Sequence, residues 1–373
     1  MNPFFYQNVC SGNNFCSRKN EFEKINNFML QKENILIYSK RKYGKTSLLK
    51  EYCQNIIDPD QYITLYIDLF DVTNSSDFIK KLYQNIAKNV PYEQKNILKE
   101  LQRKFIRVNY SAQMDLDGNI NFIPSLLSYD FEDSIEDIFK GLSKISSSLD
   151  KKVIIAFDDF QQIKLIKDTK IDAQIKKYML KYDDIRFVFT GLKRHLLKDL
   201  FSKKRAPLYD TVGFLELMPI PIDEFYEFIN NKFDGKLSYE LFEYIYNLAE
   251  GESKLIQEVC YHLYYKIDDN KSSQITQDDI DEICDSVLSS KSGFFKMMLD
   301  RLTMPQKTAL KAVAISDGKE IYSKSNLFKL QTTKSSLNTA IKYLSNEEII
   351  DKEDKNYFIS NRCFELWCKK TLV

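Results

Sequence analysis

The chain has no uninterrupted apolar stretch of the about 18 residues that a helix needs to cross a bilayer. Met1-Asn2-Pro3-Phe4-Phe5 carries no basic region leading into an apolar one. A membrane span and a secretory leader are therefore not expected, and a cytoplasmic location is. Histidine is scarce, with only His195 and His262, and the seven cysteines (Cys10, Cys16, Cys53, Cys260, Cys284, Cys363, Cys368) include no Cys-x-x-Cys pair. That speaks against a zinc site and against a disulfide framework. An excess of one charge is also missing: 54 Lys and Arg face 53 Asp and Glu, a net charge of +1. With no global basic field, any contact with nucleic acid must be a local patch. Internal repeats and low-complexity tracts are absent. What remains, 373 residues with 43% hydrophobic and 29% charged side chains, is the composition of a soluble globular protein with two or three domains.

The first 200 residues alternate strand-like runs with amphipathic stretches, which predicts an α/β core with a parallel sheet. The strands expected are Asn34 to Tyr38, Ile63 to Asp68, Lys152 to Phe157 and Arg186 to Thr190, with helices over Ser76 to Asn89 and Ser134 to Leu149. Between them, Asp117-Gly118 separates two alternating runs, Ile106 to Tyr110 and Asn119 to Ile123, and predicts an inserted β-hairpin. From about Pro219 the β signals stop and closely spaced helices follow, among them Ile222 to Lys232, Tyr239 to Ala249 and Lys254 to Lys266. Beyond Pro305 the pattern is three helices, then Ile349-Ile350-Asp351, a polar turn and Tyr357-Phe358-Ile359, the outline of a winged helix. The expected domains are 1–218 (α/β core), 219–300 (helical) and 301–373 (winged helix).

The most informative segment joins the first expected strand to the first expected helix: Ser39-Lys40-Arg41-Lys42-Tyr43-Gly44-Lys45-Thr46-Ser47. A short buried strand feeding a tight turn aims several backbone N–H groups at one spot, and the following helix adds its positive end. This predicts a phosphate-binding loop. Lys45 would reach the outer phosphates and the Thr46 hydroxyl would ligate magnesium, as Gly-x4-Gly-Lys-[Ser/Thr] requires. Its first glycine is here Ser39, at a position that needs a permissive backbone more than side-chain chemistry.

A second strand brings acids. Val153 to Phe157 runs into Asp158-Asp159 at its carboxyl end, where open α/β sheets place their ligands. Asp158 would hold the magnesium, directly or through water, and Asp159 would orient the attacking water and accept its proton. That second role usually falls to glutamate; aspartate places its carboxylate about 1 Å short, an error that can cost roughly 10²-fold in rate, so slow hydrolysis stays open. Arg186 to Phe189 ends in Thr190-Gly191, which puts a hydroxyl near the γ-phosphate if this strand lies between the other two. The cluster Lys193, Arg194, Lys198, Lys203, Lys204 and Arg205 is mostly a solvated face, from which Arg205 is the candidate to reach a neighbouring subunit's nucleotide.

This order of motifs resembles the archaeal-type ATPase family, a STAND-like branch of the AAA+ P-loop NTPases related to origin-recognition ATPases, over nearly the whole chain. The phosphate loop is similar at Arg41, Tyr43 and Gly44 to Leu48, and the acidic strand at Asp158-Asp159-Phe160-Gln161, where relatives read Asp-Glu-Phe-Gln. The resemblance implies ATP and magnesium as cofactors and a helical lid between core and winged helix. It implies that Phe15-Cys16-Ser17-Arg18-Lys19-Asn20-Glu21 lies near the adenine, with Arg18 in contact. It further implies that Gly251-Glu252-Ser253-Lys254 stands where the lid carries Gly-x-Pro, with Lys254 facing the nucleotide. Ser39, Asp159 and Ser253 depart from the pattern.

Two functions fit. One is an ATP-dependent switch acting on double-stranded DNA, with Lys334, Ser335, Asn338 and Lys342 on the recognition helix and Lys352, Lys355 and Tyr357 on the wing. The other is an ATP-dependent scaffold, a homo-oligomer or a complex with a partner protein, with little hydrolysis. The residues alone do not decide between adenine and guanine.

Overall fold

The computed structural model describes residues 2–90, 108–114, 120–126, 130–191, 197, 200–270, 275–353 and 355–372. By its internal contacts the chain forms two compact units: residues 11–39 with 45–218, and residues 1–10 with 40–44 and 219–373. The phosphate loop is the short segment that the second unit takes from the middle of the first.

The first unit opens with α1 (Lys19–Leu30), β1 (Ile35–Tyr38), α2 (Lys45–Glu51), β2 (Tyr62–Asp68) and α3 (Ser75–Asn89). A two-stranded antiparallel pair follows, β3 (Val108–Met114) and β4 (Ile120–Leu126), with Met114 opposite Ile120. This is the expected hairpin; its Asp117-Gly118 turn lies outside the described residues. Then come α4 (Phe131–Leu149), β5 (Lys152–Asp158), α5 (Ile171–Lys181), β6 (Ile185–Gly191) and β7 (Gly213–Glu216). The parallel sheet has the order β2-β5-β6-β1-β7, so β6 does lie between β5 and β1. Strands such as β5 are apolar throughout because both faces are covered: Val153, Ile155 and Phe157 enter one core with α3, α4 and α5, while Ile154 and Ala156 enter another with α1 and α2. Helix α4 starts where Asp130 accepts from the amides of Glu132 and Asp133, an N-cap that satisfies donors the helix cannot.

The second unit continues with α6 (Ile222–Lys232), α7 (Tyr239–Leu248), α8 (Ser253–Asn270) and α9 (Gln277–Asp300). A capping box between Thr276 and Asp279 begins α9. The N-terminal segment packs on these helices: Phe4 is buried against Phe233 and Tyr264, and Lys232 Nζ donates to the Pro3 carbonyl at 2.7 Å. The winged helix is α10 (Met304–Ile315), α11 (Lys324–Lys329), α12 (Lys334–Asn346), the antiparallel pair β8 (Ile350–Glu353) and β9 (Asn356–Ile359), and a closing α13 (Arg362–Leu372). Gly318 has φ +71°, and a Cβ there would collide with the Tyr357 carbonyl. Glycine is what lets the chain after α10 pass the wing.

Candidate functional site

In the first unit, the polar residues of the expected site gather at the carboxyl ends of β1, β5 and β6. Lys45 opens α2, and its buried ammonium donates to Ser39 Oγ at 2.6 Å and, at a longer 3.4 Å, to the Ser39 carbonyl. Thr46 and Ser47 follow in the same turn, Thr46 half-buried. Gly44 has φ +89° with open space where a Cβ would go, so backbone conformation alone calls for glycine.

Asp158, 3% exposed, is the hub. Its Oδ1 accepts from the Thr190 hydroxyl and from the Asp159 amide at 3.1 Å, and its Oδ2 accepts from the Tyr66 hydroxyl at 2.8 Å. A carboxylate oxygen has two lone pairs, so Oδ1 is saturated and Oδ2 keeps one acceptor position. Thr190 is fully buried and has committed its only hydrogen to Asp158, so in this arrangement it can accept from, but not donate to, a ligand. Burial first, and the Asp158 charge second, push the Tyr66 phenol well above its ordinary value, which keeps it a donor. The Lys50 ammonium lies 5.0 Å from the Tyr66 ring centre. Sequence reasoning missed Tyr66; the available signal was its place two residues before Asp68, the residue paired with Asp158 across the sheet.

Asp159 adopts the left-handed conformation, φ +54°. Burial, with the Asp158 charge behind it, raises its carboxyl, while a hydrogen bond from Gln161 Nε2 at 3.1 Å opposes the rise. Gln161 Oε1 is buried without a hydrogen-bond partner, and a Cβ on Gly191 would run into it. The donors for a metal are oxygens, Thr46 and Asp158, the hard ligands magnesium takes when phosphates and water complete its shell. Among the described residues no group of three His, Cys, Asp or Glu side chains forms a metal cage of its own.

The remaining expected residues have surroundings of their own. Arg18 is buried, with Nη1 on Glu21 at 2.9 Å and on the Met218 carbonyl at 2.7 Å. Arg205 is exposed in the turns before β7, and Lys193, Arg194 and Lys198 lie outside the described residues. Lys254 is exposed in the first turn of α8.

Within the second unit the side chains of the phosphate loop have partners of their own. Lys40 pairs with Glu353 at 2.8 Å and lies 4.6 Å from the Phe358 ring centre. Arg41 pairs with Glu348. Lys42, at φ +61°, pairs with Glu252 at 2.9 Å, and Tyr43 donates to the Glu250 carbonyl at 3.3 Å. Burial, with Glu250, Glu252 and Glu353 nearby, pushes the Tyr43 phenol up to about 12. One further pattern escaped sequence reading: Asn231-Lys232-Phe233-Asp234 has the letters of the guanine-reading Asn-Lys-x-Asp loop. It ends α6 instead, with Lys232 held by Pro3 and the rings of Phe4 and Phe228, and Phe233 in the core.

Residues 15–259 match the family described as an ATPase domain predominantly from Archaea, and residues 293–370 match a probable winged helix domain. The chain is 22% identical over 310 residues to MJ0074 of Methanocaldococcus jannaschii, an uncharacterized ATP-binding protein, covering 77% of this chain and 78% of the relative. Among solved structures, the Walker-type ATPase paby2304 of Pyrococcus abyssi has a TM-score of 0.65 at 17% identity, covering 95% of this chain and 96% of that one. The Aeropyrum pernix ORC2 protein has a TM-score of 0.57 at 12% identity, covering 94% and 92%. At these identities the structural likeness is one of fold; the family match, which spans the sheet, the phosphate loop and both acidic positions, places this chain in the family of ATPase domains found predominantly in Archaea.

Proposed function

We propose that the chain is an ATP-dependent switch whose phosphate loop reports nucleotide to the lid and winged helix, and that the winged helix carries this state to double-stranded DNA. The observation that carries the reading is the pairing of Lys40, Arg41 and Lys42 with Glu353, Glu348 and Glu252. By its covalent ends the loop belongs to β1 and α2, and by its side chains to the lid and winged helix. The Lys40–Glu353 and Arg41–Glu348 pairs are partly exposed, a class worth about 0–1 kcal/mol, so a polyphosphate can compete for these two cations and loosen the carboxylates from them.

In this reading the loop amides and Lys45 hold the phosphates, while Thr46 and Asp158 hold a magnesium ion that would neutralise their charge. Asp159 orients the attacking water and takes its proton, with Gln161 fixing its carboxylate. Thr190 keeps Asp158 in place and meets the γ-phosphate only if its hydroxyl turns away. Arg18 and Lys254 flank the nucleotide, and Arg205 serves a neighbouring copy.

Calorimetric titration of the intact chain with ATP and ADP tests the foundation. ATP should bind, and Lys45→Ala should weaken it by at least about tenfold, the loss expected of a charged contact to phosphate. No binding of either nucleotide by the unaltered chain would overturn the reading.

A second reading, assembly on ATP through protein contacts, is favoured by the net charge of +1, which supplies no global basic field for nucleic acid. Sizing with ATP and with ADP, beside a phosphate-release assay, separates the two: assembly on ATP without release favours the scaffold.

A further inference from the structure

We propose that the cleft between the wing and the start of α11 holds an unpaired nucleotide of a single strand, with the base against tyrosine and the phosphate on lysine. The inference rests on the reading of the winged helix as a nucleic-acid-binding element and adds to it a site that α12 does not line.

The cleft has a volume of about 550 Å³, within the range of about 300–1,000 Å³ usual for small-molecule sites. One wall is the segment that leads into α11 and carries Glu320, Tyr322 and Ser323; the other is the wing, with Lys352, Lys355 and Tyr357. Backbone holds the walls in place: the Tyr357 amide donates to the Gly318 carbonyl at 3.0 Å, and the Ser323 amide to the Glu320 carbonyl at 2.8 Å. The rings of Tyr322 and Tyr357 also meet, with centres 6.2 Å apart and planes at 81°. Tyr322 is anchored further by its hydroxyl, which donates to Asn338 Oδ1 at 3.3 Å.

Three features select this occupant. First, strand alternation puts the cross-strand partners Lys352 and Tyr357 on one face of the wing, and Asp351, Glu353 and Phe358 on the other. The cleft therefore receives the cationic and aromatic face, while the acidic face is the one that holds Lys40. Second, the exposed Lys352 ammonium lies 5.3 Å from the Tyr357 ring centre. An exposed contact of this kind is worth about two- to fivefold in an equilibrium, whereas a base stacked on an aromatic ring is worth about five- to 150-fold. A base thus displaces the ammonium from the ring and leaves it free to meet the adjoining phosphate. Third, Glu320 puts a carboxylate in the same cleft, a group that repels phosphate but accepts hydrogen bonds. Every base has an N–H donor on its Watson–Crick edge, and a duplex has already paired that donor. Glu320 favours an unpaired base and disfavours phosphate alone.

The test is fluorescence anisotropy of the full chain with labelled oligothymidylate, the same strand annealed to oligoadenylate, and an abasic strand of equal length, at one salt concentration. Oligothymidylate should bind at least about fivefold more tightly than the abasic strand, the lower end for one stacked base. Tyr357→Ala should remove that advantage, and Tyr357→Phe should keep it. Glu320→Ala should weaken oligothymidylate and strengthen the abasic strand, whereas a side chain acting only on the fold of the wing moves both the same way. Thermal unfolding is recorded for each variant, and Glu320, exposed on its turn, keeps the test in force if Tyr357→Ala does not fold. Oligouridylate measured in parallel tells a DNA strand from an RNA strand; tighter binding of either supports the cleft. Equal affinity for oligothymidylate and the abasic strand reduces the cleft to a surface for phosphate and overturns the inference. So does oligothymidylate binding that Tyr357→Ala and Glu320→Ala both leave unchanged. Duplex binding without single-strand binding overturns the inference and leaves the α12 reading standing; single-strand binding without duplex binding does the reverse. No binding of any strand overturns both.

Discussion

Asp158 is held from three directions, and only one of those, the amide of Asp159, is a backbone group that any sequence would provide. Tyr66 matters because it sits on Oδ2, the oxygen that retains an acceptor position. Tyr66→Phe keeps the ring in place and removes the donor, which should cost about 1.5–3 kcal/mol, the range for one hydrogen bond to a buried charged group. The carboxylate should become less well oriented. We expect nucleotide affinity measured across magnesium concentrations to require several-fold more metal at half-saturation, while affinity without metal stays as it was; unchanged metal dependence would remove Tyr66 from the site. Lys45, Thr46 and Asp158 are legible in the sequence because each is fixed by local spacing to a strand end. Tyr66 is not, because its partner is made by the neighbour relation of β2 and β5, which periodicity does not encode. The commitment of the Thr190 hydroxyl to Asp158 is invisible for the same reason.

At the scale of elements, helix starts are where charge and stability meet most plainly. Asp279 is held below its ordinary value first by the Thr276 hydroxyl and then by Lys266, within the capping box of α9. A carboxyl depressed in the folded state contributes stability that is present above the unfolded value and is lost as pH falls through the folded one. Denaturant unfolding should therefore show Asp279→Asn less stable than the unaltered chain at pH 7, with the gap closing as the pH is lowered below the ordinary aspartate range. A gap independent of pH would mean that the side chain acts by shape alone. Most elements are legible, since apolar spacing marks β1, β2, β5, β6 and the helices α6, α7 and α8 to within a few residues. Strand β7 is not: Gly213-Phe214-Leu215-Glu216 is a four-residue edge strand, too short for alternation to declare itself, and it exists because β1 has an unpaired side to offer it. Helix α13 is likewise a product of packing, with Trp367 donating to Ser292 on α9 at 3.1 Å.

For the molecule as a whole, near-neutrality makes any engagement of DNA a matter of a few side chains. Lys334, Ser335, Asn338 and Lys342 are all exposed along α12, and Asn338 Oδ1 accepts from Tyr322 at 3.3 Å. If the helix meets phosphates, the logarithm of DNA affinity should fall linearly with that of salt concentration, by about 0.9 for each phosphate neutralised. Replacing Lys334 and Lys342 together by alanine should flatten that line by about two such increments. A slope near zero in the unaltered chain would return the winged helix to protein partners.

Strand β1 is only four residues long, yet both its sides are paired in register from Ile35 to Tyr38, to β6 and to β7, and the Leu217 amide adds a bond at 2.8 Å to the Tyr38 carbonyl. The segment that precedes the loop is thus clamped like the fixed end of a cantilever. Whatever displacement the loop undergoes must pivot at Ser39 and cannot dissipate backwards into the sheet. Amide protons of Leu36 and Ile37 should accordingly be among the slowest in the chain to exchange, whatever nucleotide is present.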